Sequence, residues 1–288
     1  MFKTIYASMT GESGQRSVLE TALLVNRLFE GTTDCVHVRL DPETTMRLMA
    51  TRLFSTDILT SEQVRYLDKE ACEHAEAAKA LFDSFCQTHA ADVTSLPEKL
   101  PFSWHTVAGI DTDETIARSR IYDLVVVGRD HETYSLGKER LGAILMACGR
   151  PVLLASEKAP RSVNGKIVLA WKNCAEAARA VTAAQPLLAK ANQVMIVHAA
   201  EGSGKGESES SAKRLAETLK RHGCWAETYE LVDDGRSAGD RLRAFAAEID
   251  ADLIVMGAYG RSRLREFIFG GVTNSILDSC PIPVLLFH

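Results

Sequence analysis

Short runs of apolar residues alternate along the chain with longer stretches in which apolar residues recur every three or four positions. Runs that are apolar throughout are typical of strands buried on both faces of a parallel sheet, whereas the wider spacing indicates amphipathic helices. The runs predict strands over residues 3–8, 35–40, 103–107, 123–128, 150–155, 167–171, 193–199, 225–232, 253–256 and 283–287. The helical spacing predicts helices over 18–28, 61–91, 141–148, 175–188, 210–222, 237–249 and 271–278, and a short helix opening at 111–114. Polar loops are predicted over 129–138 and 201–207.

An internal repeat divides this pattern into two halves. Asp123-Leu-Val-Val-Val-Gly is matched by Asp252-Leu-Ile-Val-Met-Gly, and Pro151-Val-Leu-Leu by Pro283-Val-Leu-Leu. Matches at the same place in both halves indicate a tandem duplication. The alternation of strands and helices predicts an α/β fold with a doubly wound parallel sheet in each half. We predict domains at 1–156 and 166–288, joined by a polar linker at 157–165 that contains Pro and Gly.

Composition narrows the class of protein. The 288 residues are 46% hydrophobic and 25% charged, as in globular proteins, and the net charge of −5 argues against a general binder of nucleic acids or anionic membranes. No apolar run is long enough for a transmembrane helix, and the N-terminus has no signal peptide pattern. The seven cysteines form no Cys-x-x-Cys pair, so we expect reduced thiols and a cytoplasmic location. No His-Glu-x-x-His or zinc-ligand spacing occurs, so no metal site is predicted.

Glycines cluster after the strand predicted at 253–256. Gly257 and Gly260 follow that strand, and nine residues separate Gly260 from Gly270, where a helix is predicted to begin. Glycines between a strand and a helix let backbone N–H groups approach an anion, which the helix N-terminus also favours electrostatically. The spacing therefore predicts a phosphate-binding segment.

The complete motif, Gly-x2-Gly-x9-Gly with Pro-x-Pro-Val-Leu-Leu-Phe about ten residues later, resembles the nucleotide-binding signature of the universal stress proteins. The resemblance covers the whole chain and implies two flavodoxin-like, five-stranded sheets in tandem, each with strand order 3-2-1-4-5. It implies ATP or another adenine nucleotide as the ligand, with at most a Mg²⁺ ion accompanying it. The nucleotide contacts that it implies are Ala170, Trp171, Lys172, Ala199, Gly257, Gly260, Arg261, Arg263, Gly270, Gly271, Val272 and Thr273.

Two of these positions depart from the family pattern. Lys172 stands where the family carries an Asp that holds the nucleoside, and Gly271 stands where Ser or Thr is usual, leaving Thr273 as the next hydroxyl. Cationic side chains can bind phosphate in place of the lost groups. Besides Lys172, the nine-residue spacer offers Arg261, Arg263 and Arg265.

The first half departs further from the motif. Thr10 occupies the position of the Asp, Gly128 is retained, and His131 replaces the second glycine. A histidine has a Cβ atom and cannot follow every glycine conformation. We therefore predict that the first half does not bind nucleotide as the family does.

Three functions are compatible with the sequence. The first is a cytoplasmic universal stress protein whose second half binds an adenine nucleotide and which acts by nucleotide-dependent association, with at most slow ATP hydrolysis because no general base or nucleophile is evident. The second is a nucleotide-free interaction module, and the third is an enzyme that uses the crevice of either half. The resemblance also implies that the fifth strands of the two halves pair within the chain, and a homodimer of such chains is a further expectation.

Overall fold

A computed structural model describes residues 1–12, 14–41, 44, 61–90, 101–129, 134–199, 205–258 and 271–288. Its strands are β1 (Thr4–Met9), β2 (Thr32–Arg39), β3 (Phe102–Ala108), β4 (Leu124–Val127), β5 (Val152–Leu154), β6 (Lys166–Ala170), β7 (Gln193–Ala199), β8 (Ala226–Leu231), β9 (Leu253–Gly257) and β10 (Val284–Phe287). Its helices are α1 (Arg16–Phe29), α2 (Ser61–Ala90), α3 (Asp111–Ser119), α4 (Tyr134–Ala147), α5 (Ala175–Leu188), α6 (Lys205–Arg221), α7 (Ala238–Glu248) and α8 (Gly271–Ser279).

The ten strands form one continuous sheet in the order β3-β2-β1-β4-β5-β10-β9-β6-β7-β8. Each half has the order 3-2-1-4-5 with parallel neighbours, which confirms the predicted α/β flavodoxin-like fold. The two sheets join because β5 and β10 pair antiparallel, with Leu154 opposite Val284 and Val152 opposite Leu286. Each of these strands therefore covers the edge that the other would expose.

Helices cover both faces of the sheet. One apolar core lies beneath α1, α2, α5 and α6 and includes Leu19, Phe85, Ala184 and Leu219. The other lies beneath α4, α7 and α8 and includes Ile144, Leu242 and Ile276. The eight inner strands contribute to both cores and are mostly buried, as their apolar sequences predict. The edge strands β3 and β8 are half-buried to exposed.

The repeated aspartates anchor the opposite end of the sheet from the glycines. The Oδ2 atom of Asp123 accepts hydrogen bonds from the backbone N–H groups of Lys3 (2.8 Å) and Thr4 (3.0 Å). In the second half, Oδ2 of Asp252 accepts from the N–H of Lys166 at 2.8 Å, and Oδ1 accepts from Arg161. In each half, the aspartate that opens the repeated Asp-Leu motif therefore binds backbone N–H groups at the start of the central strand, β1 or β6.

Two helices begin earlier than predicted. Helix α4 starts at Tyr134 within the loop predicted at 129–138, and α6 starts at Lys205 within the loop predicted at 201–207, so both loop predictions are wrong over those residues. Residues 206, 207, 209 and 210 of α6 are exposed, so its first turns show no apolar periodicity. In α4, Gly137 and its polar neighbours conceal the helix, because glycine is an unfavourable residue in a helix interior.

Candidate functional site

The strand order of the second half reverses between β6 and β9, and ligands of open α/β sheets bind beyond the carboxyl ends of such strands. Gly257 ends β9 at this point, directly against the start of α5. A Cβ atom added at Gly257 would lie 2.5 Å from the backbone nitrogen of Ala177 and 2.6 Å from the carbonyl carbon of Glu176. The glycine is therefore required by the close approach of strand and helix, before any ligand is considered.

A carboxylate occupies the N-terminal turn of α5. Glu176 is only 5% exposed. Its own backbone N–H holds the pKa of the Glu176 carboxyl below the ordinary value, and the Cys174 thiol, His288 and Arg179 act in the same direction against the effect of burial. A carboxylate here is stabilised by the positive end of the helix dipole. The N-terminus of α5, which could bind an external anion, thus already interacts with the Glu176 carboxylate.

The N-terminus of α8 has the opposite character. Gly271 is exposed, a Cβ atom there would have no neighbour within 4 Å among the residues that the structure describes, and the first turn contains no acidic residue. Val272 is half-buried and Thr273 is 6% exposed. Since the hydroxyl-bearing residue is buried, the helix offers mainly its backbone N–H groups to an anion at this end.

Helix α8 is fixed laterally by α7. Gly239 packs so closely that a Cβ atom there would lie 2.6 Å from the Cβ of Ser275. The Ser275 hydroxyl donates to Oδ1 of Asp240 at 2.8 Å, and Nη2 of Arg243 donates to the same oxygen at 2.6 Å. The position of α8 therefore depends on polar contacts along one side.

The structure places the other predicted contacts around the same strand ends. Ala170 ends β6 beside Met256 of β9 and is half-buried. The indole Nε1 of Trp171 donates to the hydroxyl of Ser211 on α6 at 2.6 Å, so this donor is already in use. Lys172 is exposed on the loop between β6 and α5.

Ala199 lies at the end of β7, next to β6 in the sheet. Its carbonyl oxygen accepts a hydrogen bond from the hydroxyl of Ser208 at 3.2 Å. Four predicted contacts, Gly260, Arg261, Arg263 and Gly270, lie outside the described residues, as does Arg265. The described part of the predicted site therefore comprises the ends of β6, β7 and β9 and the start of α8.

The corresponding loop of the first half is satisfied internally. Gln15 is 1% exposed, and its Oε1 atom accepts hydrogen bonds from the backbone N–H groups of Thr10 at 2.6 Å and Gly11 at 3.3 Å. Its Nε2 atom donates to the Thr10 hydroxyl. The N–H groups that could face a ligand are thus bound by a side-chain amide.

Other groups close the first-half crevice further. A Cβ atom at Gly11 would lie 2.2 Å from the carbonyl oxygen of His74, so α2 lies directly against this loop. Arg140 donates to the hydroxyl of Ser8 at 2.6 Å and to the carboxylate of Asp111. These contacts agree with the prediction of no nucleotide in the first half, which stays a prediction; His131 lies outside the described residues.

Sequence reasoning missed the two side chains that distinguish the crevices, Gln15 and Glu176. Each lies within two residues of a helix start, where side chains that bind backbone N–H groups are favoured, so a search of these positions would have found both. The backbone N–H groups that these two side chains bind are close in sequence. The structure was needed only to show which of the nearby N–H groups each side chain binds.

Two other features lie away from the crevices. A groove of about 520 Å³ follows α6 from Gly206 to Arg221, and its lining is one solvent-facing stripe of a single helix on which Glu209 pairs with Lys213. We assign it no function. Among the described residues, no group of three or more His, Cys, Asp or Glu could hold a metal ion, and no helix there could span a membrane.

Comparisons with known proteins show similarity to one family. Residues 164–288 match the family model described as "Universal stress protein family". A curated universal stress protein of Synechocystis sp. is 26% identical over 173 residues, which cover 58% of this chain and 58% of the relative, less than two thirds of its length.

Solved structures show the same fold over the whole chain. A universal stress protein from Archaeoglobus fulgidus DSM 4304 has a TM-score of 0.69 at 17% identity and covers 99% of this chain and 98% of its own. A putative universal stress protein from Pseudomonas aeruginosa UCBPP-PA14 has a TM-score of 0.58 at 14% identity, with 99% and 93% covered. At these identities the likeness shows the fold alone.

Proposed function

We propose that the second half of the chain, whose residues 164–288 match the universal stress protein family model, binds ATP or a related adenine nucleotide at the ends of β6 and β9. The observation that carries the proposal is the exposed N-terminus of α8, the helix that follows β9, one of the two strands between which the strand order reverses. In this proposal residues 166–288 are the nucleotide domain, 157–165 the linker and 1–156 a domain without a nucleotide.

The phosphates would lie at α8 rather than at α5. Helix α5 starts against the end of β9 and α8 is the helix that follows β9 in the chain, but α5 carries the buried Glu176 carboxylate in its first turn. That charge would repel a phosphate, whereas the first turn of α8 has no acidic residue, and no other described residue lies within 4 Å of a Cβ atom at Gly271. Backbone N–H groups at a helix N-terminus are a recurrent phosphate site.

The remaining contacts follow from this placement. Lys172, on the loop after β6, would supply a cation to the phosphates, in place of the acidic residue that the family carries there. Ala199 would pack against the base. Because the Glu176 carboxylate is buried and hydrogen-bonded, it is not placed to act as a general base, and ATP hydrolysis would be slow.

In the cell, the protein would act in the cytoplasm by nucleotide-dependent association. All seven cysteines lie in described residues and are free thiols, as in a reducing compartment. Since β5 and β10 pair with each other, a homodimer would use another surface.

The first test is to denature the purified protein and identify any released nucleotide by mass spectrometry, with its molar ratio. About one adenine nucleotide per chain would support the proposal. No released nucleotide, together with a flat calorimetric titration with ATP, would refute it and favour the nucleotide-free interaction module.

Two variants at Gly271 test the placement of the phosphates. Gly271→Asp should lower ATP affinity about tenfold or more by charge repulsion, while the thermal midpoint is unchanged or raised because the carboxylate interacts favourably with the helix dipole. Gly271→Ser, which restores the usual family hydroxyl, should raise ATP affinity. Equal ATP affinity in Gly271→Asp and wild type, measured by calorimetry, would place the phosphates elsewhere.

A further inference from the structure

One arginine of the first half reaches a helix of the second half. Arg129 follows Gly128, as Ala258 follows Gly257 in the repeat. Its Nη1 atom donates to the carbonyl oxygen of Leu277, and its Nη2 atom donates to that of Ile276 at 3.5 Å. Arg129 therefore binds the C-terminal end of α8, the helix whose N-terminus is the proposed phosphate site.

The contact is of a kind that stabilises a helix. The last carbonyl groups of an α-helix have no partner within it, and a cation at this end interacts favourably with the helix dipole. Leu277 lies six residues after Gly271, the first residue of α8, so Arg129 acts only about 9 Å along the helix axis from the N-terminal N–H groups. The contacts of Ser275 with α7 hold the middle of the helix, and Arg129 adds a second support from the other half of the chain.

We propose that Arg129 is a positioning residue through which the first half fixes α8 and thereby sets the affinity of the second half for phosphate. This inference rests on the proposed function and deepens it. In the second half, the segment that follows β9 belongs to the glycine motif. In the first half, the equivalent segment after β4 contains Arg129, which supports the proposed site of the other half. The degenerate half is then a structural support for the working half and not a second binding site.

The test uses the full chain with Arg129→Gln and Arg129→Lys. Arg120→Gln is a matched control, because Nη2 of Arg120 donates at 3.3 Å to the carbonyl oxygen of Ala147 at the end of α4, the helix of the first half that corresponds to α8. Hydrogen exchange of 271–279 and of 134–147 reports on the two helices. Calorimetry with ATP and with adenosine reports on the site.

In Arg129→Gln we expect faster exchange in 271–279 and about tenfold weaker ATP binding, a typical size for coupling between sites, with adenosine affinity changed less than twofold. Arg129→Lys should restore part of the ATP affinity, since it keeps the charge but not the two-pronged donor. Arg120→Gln should change exchange only in 134–147 and leave ATP affinity intact. A general loss of stability would weaken ATP and adenosine binding alike.

Three outcomes would overturn the inference. Unchanged exchange in 271–279 with intact ATP binding would overturn it alone and leave the proposed function standing. Equal losses of ATP and adenosine affinity would reduce Arg129 to a general stabiliser. No ATP binding by the wild-type chain would overturn the proposed function and, with it, the effect on affinity.

Discussion

The two crevices of this chain lie in sheets with the same strand order, but the residues that line them differ. In the first half, Gln15, Arg140 and the backbone of His74 occupy the space beyond the strand ends. In the second half, the chain satisfies the N-terminus of α5 with Glu176 and leaves that of α8 exposed. A duplicated fold can thus keep its topology while its own side chains fill one of its two crevices.

The residue just before the first helical turn contributes most to this difference. Gln15 lies just before α1, and its side chain makes no capping hydrogen bond to that helix; the side chain is long enough for its amide to return to the N–H groups of Thr10 and Gly11. Cys174 holds the same place before α5, and its short side chain reaches no further than the helix itself. If the first half binds no ligand, as we predict, this loss would require no change in the sheet.

The largest expected effect is a difference in stability between alanine variants of Gly257 and Gly128, the glycines at the ends of β9 and β4. Gly257→Ala places a Cβ atom within 2.6 Å of the backbone of α5, which cannot move without shifting the helix. Gly128→Ala meets a side-chain methyl of Val18 at 3.1 Å, which can adjust. We expect a loss in the free energy of unfolding of about 2–3 kcal/mol for Gly257→Ala and less than about 1 kcal/mol for Gly128→Ala, measured by urea titration.

Equal losses in the two variants would contradict this account of the glycines. A stable Gly257→Ala variant that had lost ATP binding would instead show that the glycine is kept for the ligand, and not for the packing of β9 on α5.

A smaller effect concerns acid sensitivity. His37 is buried beside the end of β1, and Nδ1 contacts the carbonyl oxygen of Met9 at 2.8 Å. Burial lowers the pKa of His37, with His74 and Arg39 acting in the same direction and Met9 and Asp111 opposing. The native state therefore favours the neutral ring, and this contribution to stability is lost as pH falls from the ordinary value of 6.5 through the lowered pKa.

The second half should respond at lower pH. The lowered pKa of Glu176 means that its contribution is lost only as pH falls below the ordinary value of 4.5. Between pH 6.5 and 5, protection against hydrogen exchange, corrected for the intrinsic exchange rate at each pH, should therefore fall in the first half before it falls in the second half, and the fall should be smaller in His37→Asn. An equal fall in both halves, or an equal fall in the variant and the wild type, would contradict the role assigned to His37.

Much of the fold could be predicted because it is encoded locally. Apolar runs located the strands, and the repeated Pro-Val-Leu-Leu motif together with the family resemblance indicated that β5 and β10 would pair, as they do. The start of α6 could not be read, since its first turns are exposed and carry no periodic signal.

The candidate site was less readable. The glycine motif identified the strand end, but the required closeness of Gly257 to Ala177 is a tertiary contact that no spacing reveals. The indole donor of Trp171 binds Ser211, a residue 40 positions away, and the support of α8 by Arg129 spans about half the chain. Such contacts depend on the packing of helices on the sheet, which the sequence pattern does not fix.

The central claim is that one crevice per chain binds nucleotide, and calorimetric titration of the nucleotide-free wild-type chain with ATP tests it most directly. The account predicts one site per chain, abolished or strongly weakened in Gly271→Asp. Two sites per chain would contradict the closed first half, and no binding at all would contradict the working second half.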